Sequence, residues 1–182
     1  MPHSTGTDVA ATAPELPRPL PGGGSYRIAL VCLGNICRSP MAQVVLTHRI
    51  AGAGLADAVR LTSAGTGSWH LGHPMDQRAA DTLSRVGLDP SSHRARQFDA
   101  AWFADSDLVL AMDRANRDEL AGLAPPERRH RLMLLRAFDP EGGPDSEVPD
   151  PWYGGPDGFD EVLAIIERTA ETLTAALRHE LG

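Results

Sequence analysis

Hydrophobic residues along the chain form two kinds of pattern that alternate with each other. Short apolar runs lack strict polar alternation, which is typical of parallel strands covered on both faces. Longer stretches place apolar residues about every 3.6 positions, the period of an amphipathic helix. The short runs predict strands over residues 26–31, 59–64, 108–112 and 131–137. The longer stretches predict helices over residues 39–52, 75–86, 113–123 and 158–181, with a helical turn at 101–104.

The order of these elements predicts an α/β fold. Strand and helix alternate four times, and right-handed crossovers bring successive parallel strands into one sheet. The expected architecture has three layers, a four-stranded parallel sheet with helices on both faces. Ligands of such sheets bind beyond the carboxyl ends of the strands. Because the first strand runs directly into Cys32, we expect the functional site there.

Length and composition suit one domain, with 182 residues of which 42% are hydrophobic. Residues 1–24 are rich in Pro, Gly, Thr and Ala, and they predict a disordered N-terminal tail ahead of a domain over residues 25–182. The tail lacks the basic start and apolar centre of a signal peptide, and no stretch reaches the roughly 20 apolar residues of a membrane helix. We therefore expect a cytoplasmic protein without a membrane partner.

Charge and histidine placement narrow the chemistry further. The formal net charge is −7 with no long basic run, which argues against a nucleic-acid partner. The chain has no lysine, so strong cationic contacts to a substrate must come from arginine, whose planar guanidinium suits phosphate. His70 and His73 lie three residues apart, but no cysteine or carboxylate cluster completes a metal site. We expect no metal, no cofactor, and a monomer or weak dimer.

Cys32 and Arg38 frame a loop that suits a phosphate group. Five residues separate them, enough for the backbone to curl so that successive N–H groups point inward at an anion. The helix that follows adds its positive N-terminal end. The same field favours the thiolate of Cys32, which is therefore a candidate nucleophile. Together these features predict phosphoryl transfer through Cys32, with Arg38 as the phosphate clamp.

Asp150 is the second candidate group, in the segment DPWYG just before the last helix. Pro151 biases Asp150 toward an extended conformation, and the two aromatic residues offer a wall beside it. Thiolate attack on a phosphate monoester requires a proton on the leaving oxygen, and hydrolysis of the intermediate requires a base for water. Asp150 is predicted to serve as both acid and base. Asp113 is predicted to cap a helix, and Asp139-Pro140 to form an ordinary turn.

Two motifs carry a resemblance to a known family. The segment CLGNICRSP at residues 32–40 resembles the signature loop of the low-molecular-weight protein tyrosine phosphatases, and DPWYG at residues 150–154 resembles their general-acid loop. Both stand in the family's order and at its separation. Further agreement covers residues 63–69, 93–97 and 112–113, within a resemblance that spans about residues 26–180. The closest resemblance is to actinobacterial members, and it implies hydrolysis of phosphotyrosine in proteins through a phosphocysteine intermediate.

The resemblance also implies roles for individual residues. Asn35 would hold a strained turn of the loop, Ser39 would hydrogen-bond the thiolate, and His93 would support the loop through Asn35. The residues implied to contact substrate are Leu33, Gly34, Asn35, Ile36, Cys37, Ser39, Trp69, Trp152 and Tyr153. Trp152 stands where the family more commonly has tyrosine. This larger ring leaves the chemistry intact and affects the choice of substrate.

Alternative functions remain open at this point. Related bacterial arginine phosphatases usually carry threonine where this chain has Ile36, whereas an aliphatic residue goes with phosphotyrosine. Arsenate reductases with this loop use cysteines further along the chain, and none follows Cys37. A non-catalytic module that binds phosphoproteins would have lost a catalytic residue, and Cys32, Arg38 and Asp150 are all present. Cys37 is also close enough to Cys32 for a reversible disulfide that would protect the nucleophile.

Overall fold

The computed structural model describes residues 13–182, which form four strands and four α-helices in alternation. The strands are β1 (Tyr26–Cys32), β2 (Val59–Gly65), β3 (Leu108–Ala111) and β4 (Leu132–Leu134). The helices are α1 (Arg38–Gly52), α2 (Gln77–Arg85), α3 (Arg114–Leu123) and α4 (Asp157–Leu181). Short 3₁₀ helices occupy Ala100–Phe103, Pro126–Arg131, Leu135–Phe138 and Pro151–Tyr153. No helix in the described part of the chain is long and apolar enough to cross a membrane.

The four strands form one parallel sheet in the order β2-β1-β3-β4, as the α/β prediction required. Side chains of β1 alternate between two cores. Ile28, Leu30 and Cys32 face a core shared with α1, α2 and α4, and Ala29 and Val31 face one shared with α3. Helices therefore cover both faces, which confirms the three-layer prediction. Cys32 is the last residue of β1, at the carboxyl edge of the sheet.

The fourth strand is shorter than the run of apolar residues that predicted it. The prediction covered residues 131–137, but β4 ends at Leu134 and a 3₁₀ helix follows. Leu135 and Phe138 are three positions apart and pack in the same core, a spacing that a 3₁₀ turn satisfies and a strand does not. Apolar composition alone does not distinguish these two conformations.

Residues 13–20 lie against the domain, although composition assigns them to a disordered tail. Leu16 packs beside the main core, and the N–H of Leu20 donates to Asp107 Oδ1 at 2.6 Å. The Tyr26 hydroxyl donates to the Pro17 carbonyl at 2.8 Å, and Arg131 donates to the Arg18 carbonyl at 2.7 Å. Asp107 and Arg131 lie 87 and 113 positions from their partners, so local composition does not reveal these contacts. Residues 1–12 of the predicted tail lie outside the described residues.

Asp139 begins a turn, as predicted, with the Gly142 N–H donating to its carbonyl at 2.9 Å, and its buried side chain is in addition an ion-pair centre. Its carboxylate accepts from Arg136 Nε at 2.8 Å and from Arg168 Nε and Nη2 at 2.7 and 2.8 Å. The N–H of Glu141 adds a fourth bond at 2.9 Å. Burial by itself would raise the pKa of Asp139, but hydrogen bonds from Arg168, Glu141 and Arg136 lower it to about 2. The carboxylate thus ties the segment after β4 to α4.

The Asp139→Asn substitution should lower the free energy of unfolding by about 2 to 3 kcal/mol at pH 7. The folded pKa lies below the unfolded value of about 3.9, so this stabilisation is complete above that value and disappears as pH falls through about 2. Urea unfolding of both proteins at pH 7, 4 and 2.5 measures the difference.

Asp145→Asn is the control, because Asp145 pairs with Arg117 at 3.1 Å while its side chain is 76% exposed. That variant should unfold like the parent protein at every pH. A deficit in Asp139→Asn that stays constant from pH 7 to 2.5 would show that its carboxylate charge is not what stabilises the fold.

Candidate active site

Residues 32–39, called here the phosphate loop, curl between β1 and α1 around a strained turn at Asn35. This residue has φ of +56°, in the left-handed region that asparagine tolerates better than most side chains. Its side-chain Nδ2 donates to Ser39 Oγ at 2.8 Å and Ser63 Oγ at 3.0 Å, and its Oδ1 accepts from the Arg96 N–H at 2.9 Å. The side chain is fully buried, so these bonds replace water and hold the turn.

His93 supports the same turn from outside the loop. Its Nε2 lies 2.6 Å from the Asn35 carbonyl, which only accepts, so Nε2 carries the proton. Burial lowers the pKa of His93, with a smaller opposing effect from the bond to Asn35. The imidazole is therefore neutral at pH 7, and its contact to the loop does not depend on a charge.

Gly65 lets the end of β2 approach the phosphate loop closely. A Cβ at this position would lie 2.7 Å from the Leu33 carbonyl oxygen and 3.0 Å from the carbonyl carbon of Gly34. Just beyond it, the N–H of Thr66 donates to the Cys32 carbonyl at 2.9 Å, and that of Gly67 donates to the Leu33 carbonyl at 2.9 Å. The glycine thus allows β2 to brace the start of the loop through backbone bonds.

Cys32 presents its thiol inside the loop, where two donors meet it. Its Sγ lies 2.9 Å from Ser39 Oγ and accepts from the Asn35 N–H at 3.3 Å. A thiolate at this position only accepts, so both groups would then donate to it and stabilise its charge. Only 3% of the residue is exposed, so the thiol lies at the floor of the site. This is the contact that the resemblance implied for Ser39.

Arg38 is buried beneath the loop and held by two elements. Its Nη1 donates to Asp113 Oδ2 at 2.7 Å and to the Val148 carbonyl at 3.1 Å, and its Nη2 lies 3.6 Å from Asp150 Oδ2. Burial disfavours the charged guanidinium, but Cys32, Asp113 and Asp150 outweigh it and raise the pKa of Arg38. The guanidinium is therefore a permanent cation in the lining of the phosphate-loop cavity.

Asp113 does more than the helix cap that the sequence predicts. Its Oδ1 accepts from the Asn116 N–H at 2.7 Å and caps α3, while its Oδ2 holds Arg38. Sequence reasoning missed this second contact. The available signal was position, because Asp113 follows β3 just as the loop follows β1, and neighbouring parallel strands end at the same edge.

Asp150 reaches the site from a loop that its own side chain organises. Its Oδ1 accepts from the Trp152 N–H at 3.0 Å and caps the 3₁₀ helix Pro151–Tyr153. Its Oδ2 faces Arg38, and the side chain is 32% exposed. The carboxyl is therefore open to solvent on one side and directed at the phosphate loop on the other.

A cavity of about 260 Å³ brings the predicted residues together. Its lining is Cys32, Leu33, Gly34, Ile36, Cys37, Arg38, Trp69, His70, Asp150, Trp152 and Tyr153. Asn35 and Ser39 lie behind the loop, fully buried, and act on it from there. Two larger grooves, of about 560 and 680 Å³, lie beside α1 and contain neither Cys32 nor Arg38.

His70 is a member of this lining that sequence reasoning missed. It was considered only as half of a metal pair, but its ring packs against Gly34 and lies 6.0 Å from the Trp152 ring, centroid to centroid. The adjacent residue Trp69, which the resemblance implies to contact substrate, could have indicated that His70 lies at the site. Among residues 13–182, no three His, Cys, Asp or Glu side chains are grouped as metal ligands.

Cys37 has a different environment from Cys32. It is buried, and burial is the main reason that the pKa of its thiol is raised, with Asp76 adding to the effect. The thiol is thus protonated at pH 7 and a poor nucleophile. Both cysteines are free thiols in this structure.

Comparison with known proteins agrees with this geometry of a thiol-dependent phosphatase. Residues 27–181 match the family described as low molecular weight phosphotyrosine protein phosphatase. A low molecular weight protein-tyrosine-phosphatase of Streptomyces coelicolor is 47% identical over 161 residues, which cover 86% of this chain and 96% of that one. Protein-tyrosine phosphatase A of Mycobacterium tuberculosis is 45% identical over 141 residues, covering 77% and 84%.

Solved structures give the same result. A protein tyrosine phosphatase from Entamoeba histolytica, crystallised with Hepes in its active site, superposes with a TM-score of 0.81 at 34% identity. The match covers 86% of this chain and 99% of that one. The chain therefore belongs to the low-molecular-weight phosphotyrosine protein phosphatase family. The predicted family, its actinobacterial affinity and the enzyme class, a protein tyrosine phosphatase, are confirmed.

The Asp113→Asn substitution tests how much the position of Arg38 depends on the Asp113 carboxylate. Asparagine caps helices as well as aspartate, so the free energy of unfolding should change by less than about 1 kcal/mol. Arg38 loses a charged hydrogen bond at 2.7 Å, and kcat/KM for an aryl phosphate should fall about tenfold.

Asp99→Asn is the matched control. Asp99 caps the 3₁₀ helix Ala100–Phe103 through the Ala101 N–H and is absent from the cavity lining, so activity and stability should both be retained. If Asp113→Asn keeps full kcat/KM, the Val148 carbonyl and the loop suffice to hold Arg38.

Proposed function

We propose that this phosphatase cleaves phosphotyrosine in proteins with Cys32 as nucleophile, Arg38 as phosphate clamp and Asp150 as general acid and base. The observation that carries the proposal is the shared cavity. Within it the Cys32 thiol meets two donors, and the Arg38 guanidinium stands 3.6 Å from the Asp150 carboxylate. Nucleophile, cation and proton donor are thus directed at one phosphate-sized space.

In the first step the thiolate of Cys32 attacks phosphorus. The S–P bond forms as the bond from phosphorus to the tyrosine oxygen breaks, and protonated Asp150 gives its proton to that oxygen. Backbone N–H groups of the phosphate loop and the guanidinium of Arg38 hold the three remaining phosphate oxygens, where negative charge is greatest. Ser39 and Asn35 stabilise the thiolate before attack.

In the second step water hydrolyses the phosphocysteine. Asp150, now ionised, takes a proton from a water molecule. The oxygen of that water attacks phosphorus, and the S–P bond breaks. The leaving thiolate of Cys32 returns to its bonds with Ser39 and the Asn35 N–H. Inorganic phosphate then departs, and the enzyme has its starting protonation state.

The walls of the cavity support an aromatic phosphate ester as substrate. Trp69, Trp152 and Tyr153 stand at the rim with exposed fractions of 69, 41 and 88%, while Cys32 is nearly buried below. A phenyl ring that carries a phosphate spans this depth, so that the ring packs against the rim while the phosphate reaches the floor. The short side chain of phosphoserine does not span it. Ile36, buried in the lining, adds an aliphatic surface.

The family implies phosphoprotein substrates. We propose that the substrates are tyrosine-phosphorylated proteins in the cytoplasm, because a reducing compartment keeps the Cys32 thiol available.

We propose that the protein is a monomer or a weak dimer, since the described residues of one chain form the whole cavity. The net charge of −7 disfavours nucleic acid. Cys37 is proposed as the partner of Cys32 in a protective disulfide under oxidation.

Phosphate release from phosphotyrosine, phosphoserine and phosphoarginine peptides, with a chelator present, tests this function. The parent enzyme should prefer phosphotyrosine. Cys32→Ser should abolish turnover, and Asp150→Ala should lower kcat by about 10² because the leaving oxygen departs without a proton.

Cys37→Ser is the control for loss of a thiol from the loop, and it should retain turnover under reducing conditions. Full activity in Cys32→Ser would contradict the assigned nucleophile. Preference for phosphoarginine would keep the mechanism but assign a different substrate, and binding of phosphopeptide without phosphate release would indicate a non-catalytic module.

A further inference from the structure

The N-terminal end of α2 lies between the two loops of the active site. On one side, the N–H of Asp76 donates to the Ile36 carbonyl in the phosphate loop at 2.9 Å. On the other side, Arg78 Nη1 donates to the Trp152 carbonyl at 3.4 Å. Residues 150–153, called here the acid loop, are therefore joined to the phosphate loop through three consecutive residues, 76–78.

The guanidinium of Arg78 is held in one orientation by Asp76. The Asp76 carboxylate accepts from Arg78 Nε at 3.1 Å and from Nη2 at 3.1 Å, which is a two-point contact on a planar group. The same carboxylate caps α2 by accepting from the Arg78 N–H at 2.8 Å. The side chain of Arg78 is thus fixed to the start of a helix before it meets the acid loop.

Arg78 also stacks on two aromatic rings. Its Cζ lies 5.1 Å from the centroid of the Trp152 ring and 4.8 Å from that of Phe159, in the first turn of α4. Both distances are within the range of a cation–π contact. Trp152 is therefore restrained twice, by a bond to its carbonyl and by a cation over its ring.

Trp152 passes this restraint to Asp150, because its N–H holds Asp150 Oδ1 at 3.0 Å. We propose that Arg78 is a positioning residue that sets the Asp150 carboxyl beside Arg38, in the cavity that Cys32 also lines, by fixing Trp152. The inference rests on the proposed role of Asp150 as general acid. Without Arg78, two glycines at positions 154 and 155 leave the acid loop free to move, and the proton donor is displaced from the leaving oxygen.

Arg85 offers a matched control on the same helix. Its Nη2 pairs with Asp160 Oδ1 of α4 at 3.1 Å, so it also links α2 to α4. It is absent from the cavity lining and from the contacts of the acid loop. Replacing Arg85 thus affects only the packing of α2 on α4. Replacing Arg78 affects that packing and also the position of the Asp150 carboxyl.

The test compares kcat/KM for a series of aryl phosphates whose phenols range from basic to acidic. A basic phenolate needs a proton from Asp150 as it leaves, and an acidic one such as 2,4-dinitrophenolate does not. Arg78→Ala should lose about 10- to 100-fold on phenyl phosphate and less than about twofold on 2,4-dinitrophenyl phosphate. Arg78→Lys, which keeps the charge but not the planar group, should fall between Arg78→Ala and the parent.

Arg85→Ala should match the parent enzyme on every ester. Asp150→Ala should show the same leaving-group dependence as Arg78→Ala, and the double variant should lose little more than Asp150→Ala alone. Thermal unfolding of each variant confirms that it is folded at the assay temperature.

An Arg78→Ala loss of equal size on all esters would overturn the positioning role, and so would full activity of that variant on phenyl phosphate. If only Asp150→Ala shows leaving-group dependence, Asp150 remains the acid and the inference about Arg78 fails. If Asp150→Ala itself shows none, the proposed mechanism fails, and the inference about Arg78 fails with it.

Discussion

The buried amide of Asn35 is the interaction on which the active site depends. The backbone at this residue is left-handed, a conformation that persists only where surrounding contacts determine it. Two hydroxyls, one backbone N–H and the His93 ring supply those contacts. Because the Asn35 N–H and the Ser39 hydroxyl that its side chain holds both contact Cys32 Sγ, the position of the Cys32 thiol depends on this turn.

The positive charge at this site is local, and its sign is opposite to that of the net charge of the chain. The protein carries a net charge of −7, yet the family acts on phosphate esters. The buried guanidinium of Arg38 and the backbone N–H groups provide the attraction at short range. Two carboxylates flank that cation, with Asp113 Oδ2 at 2.7 Å from Nη1 and Asp150 Oδ2 at 3.6 Å from Nη2.

The parallel sheet explains why a few elements are enough to surround the phosphate loop. β1, β2 and β3 all end at one edge, and the residues at or just beyond their ends are Cys32 with its loop, Gly65 with Thr66, and Asp113. Each reaches the phosphate loop without a long connection. Among the three proposed catalytic residues, only Asp150 comes from a loop away from the strand ends, and α2 lies between this loop and the phosphate loop. Its position is therefore the one that depends most on side-chain contacts.

Local patterns in the sequence determined the layers and the element order, and they indicated which residues line the cavity at the end of β1. Strand and helix periods arise from which face is buried, and the loop from Cys32 to Arg38 is contiguous, so both can be recognised without knowledge of distant residues. Asp150, which lines the same cavity, was predicted from Pro151, its two aromatic neighbours and the family resemblance.

Tertiary structure alone decided which distant groups meet. Asp113 holds Arg38 across 75 positions, and Asp139 meets Arg168 across 29. The second role of Asp113, the ion pairs of Asp139, the packing of residues 13–20 and the early end of β4 all required the folded chain. The physical reason is that hydrophobic periodicity is a property of one segment, whereas the partner of a buried polar group is set by how separate segments pack.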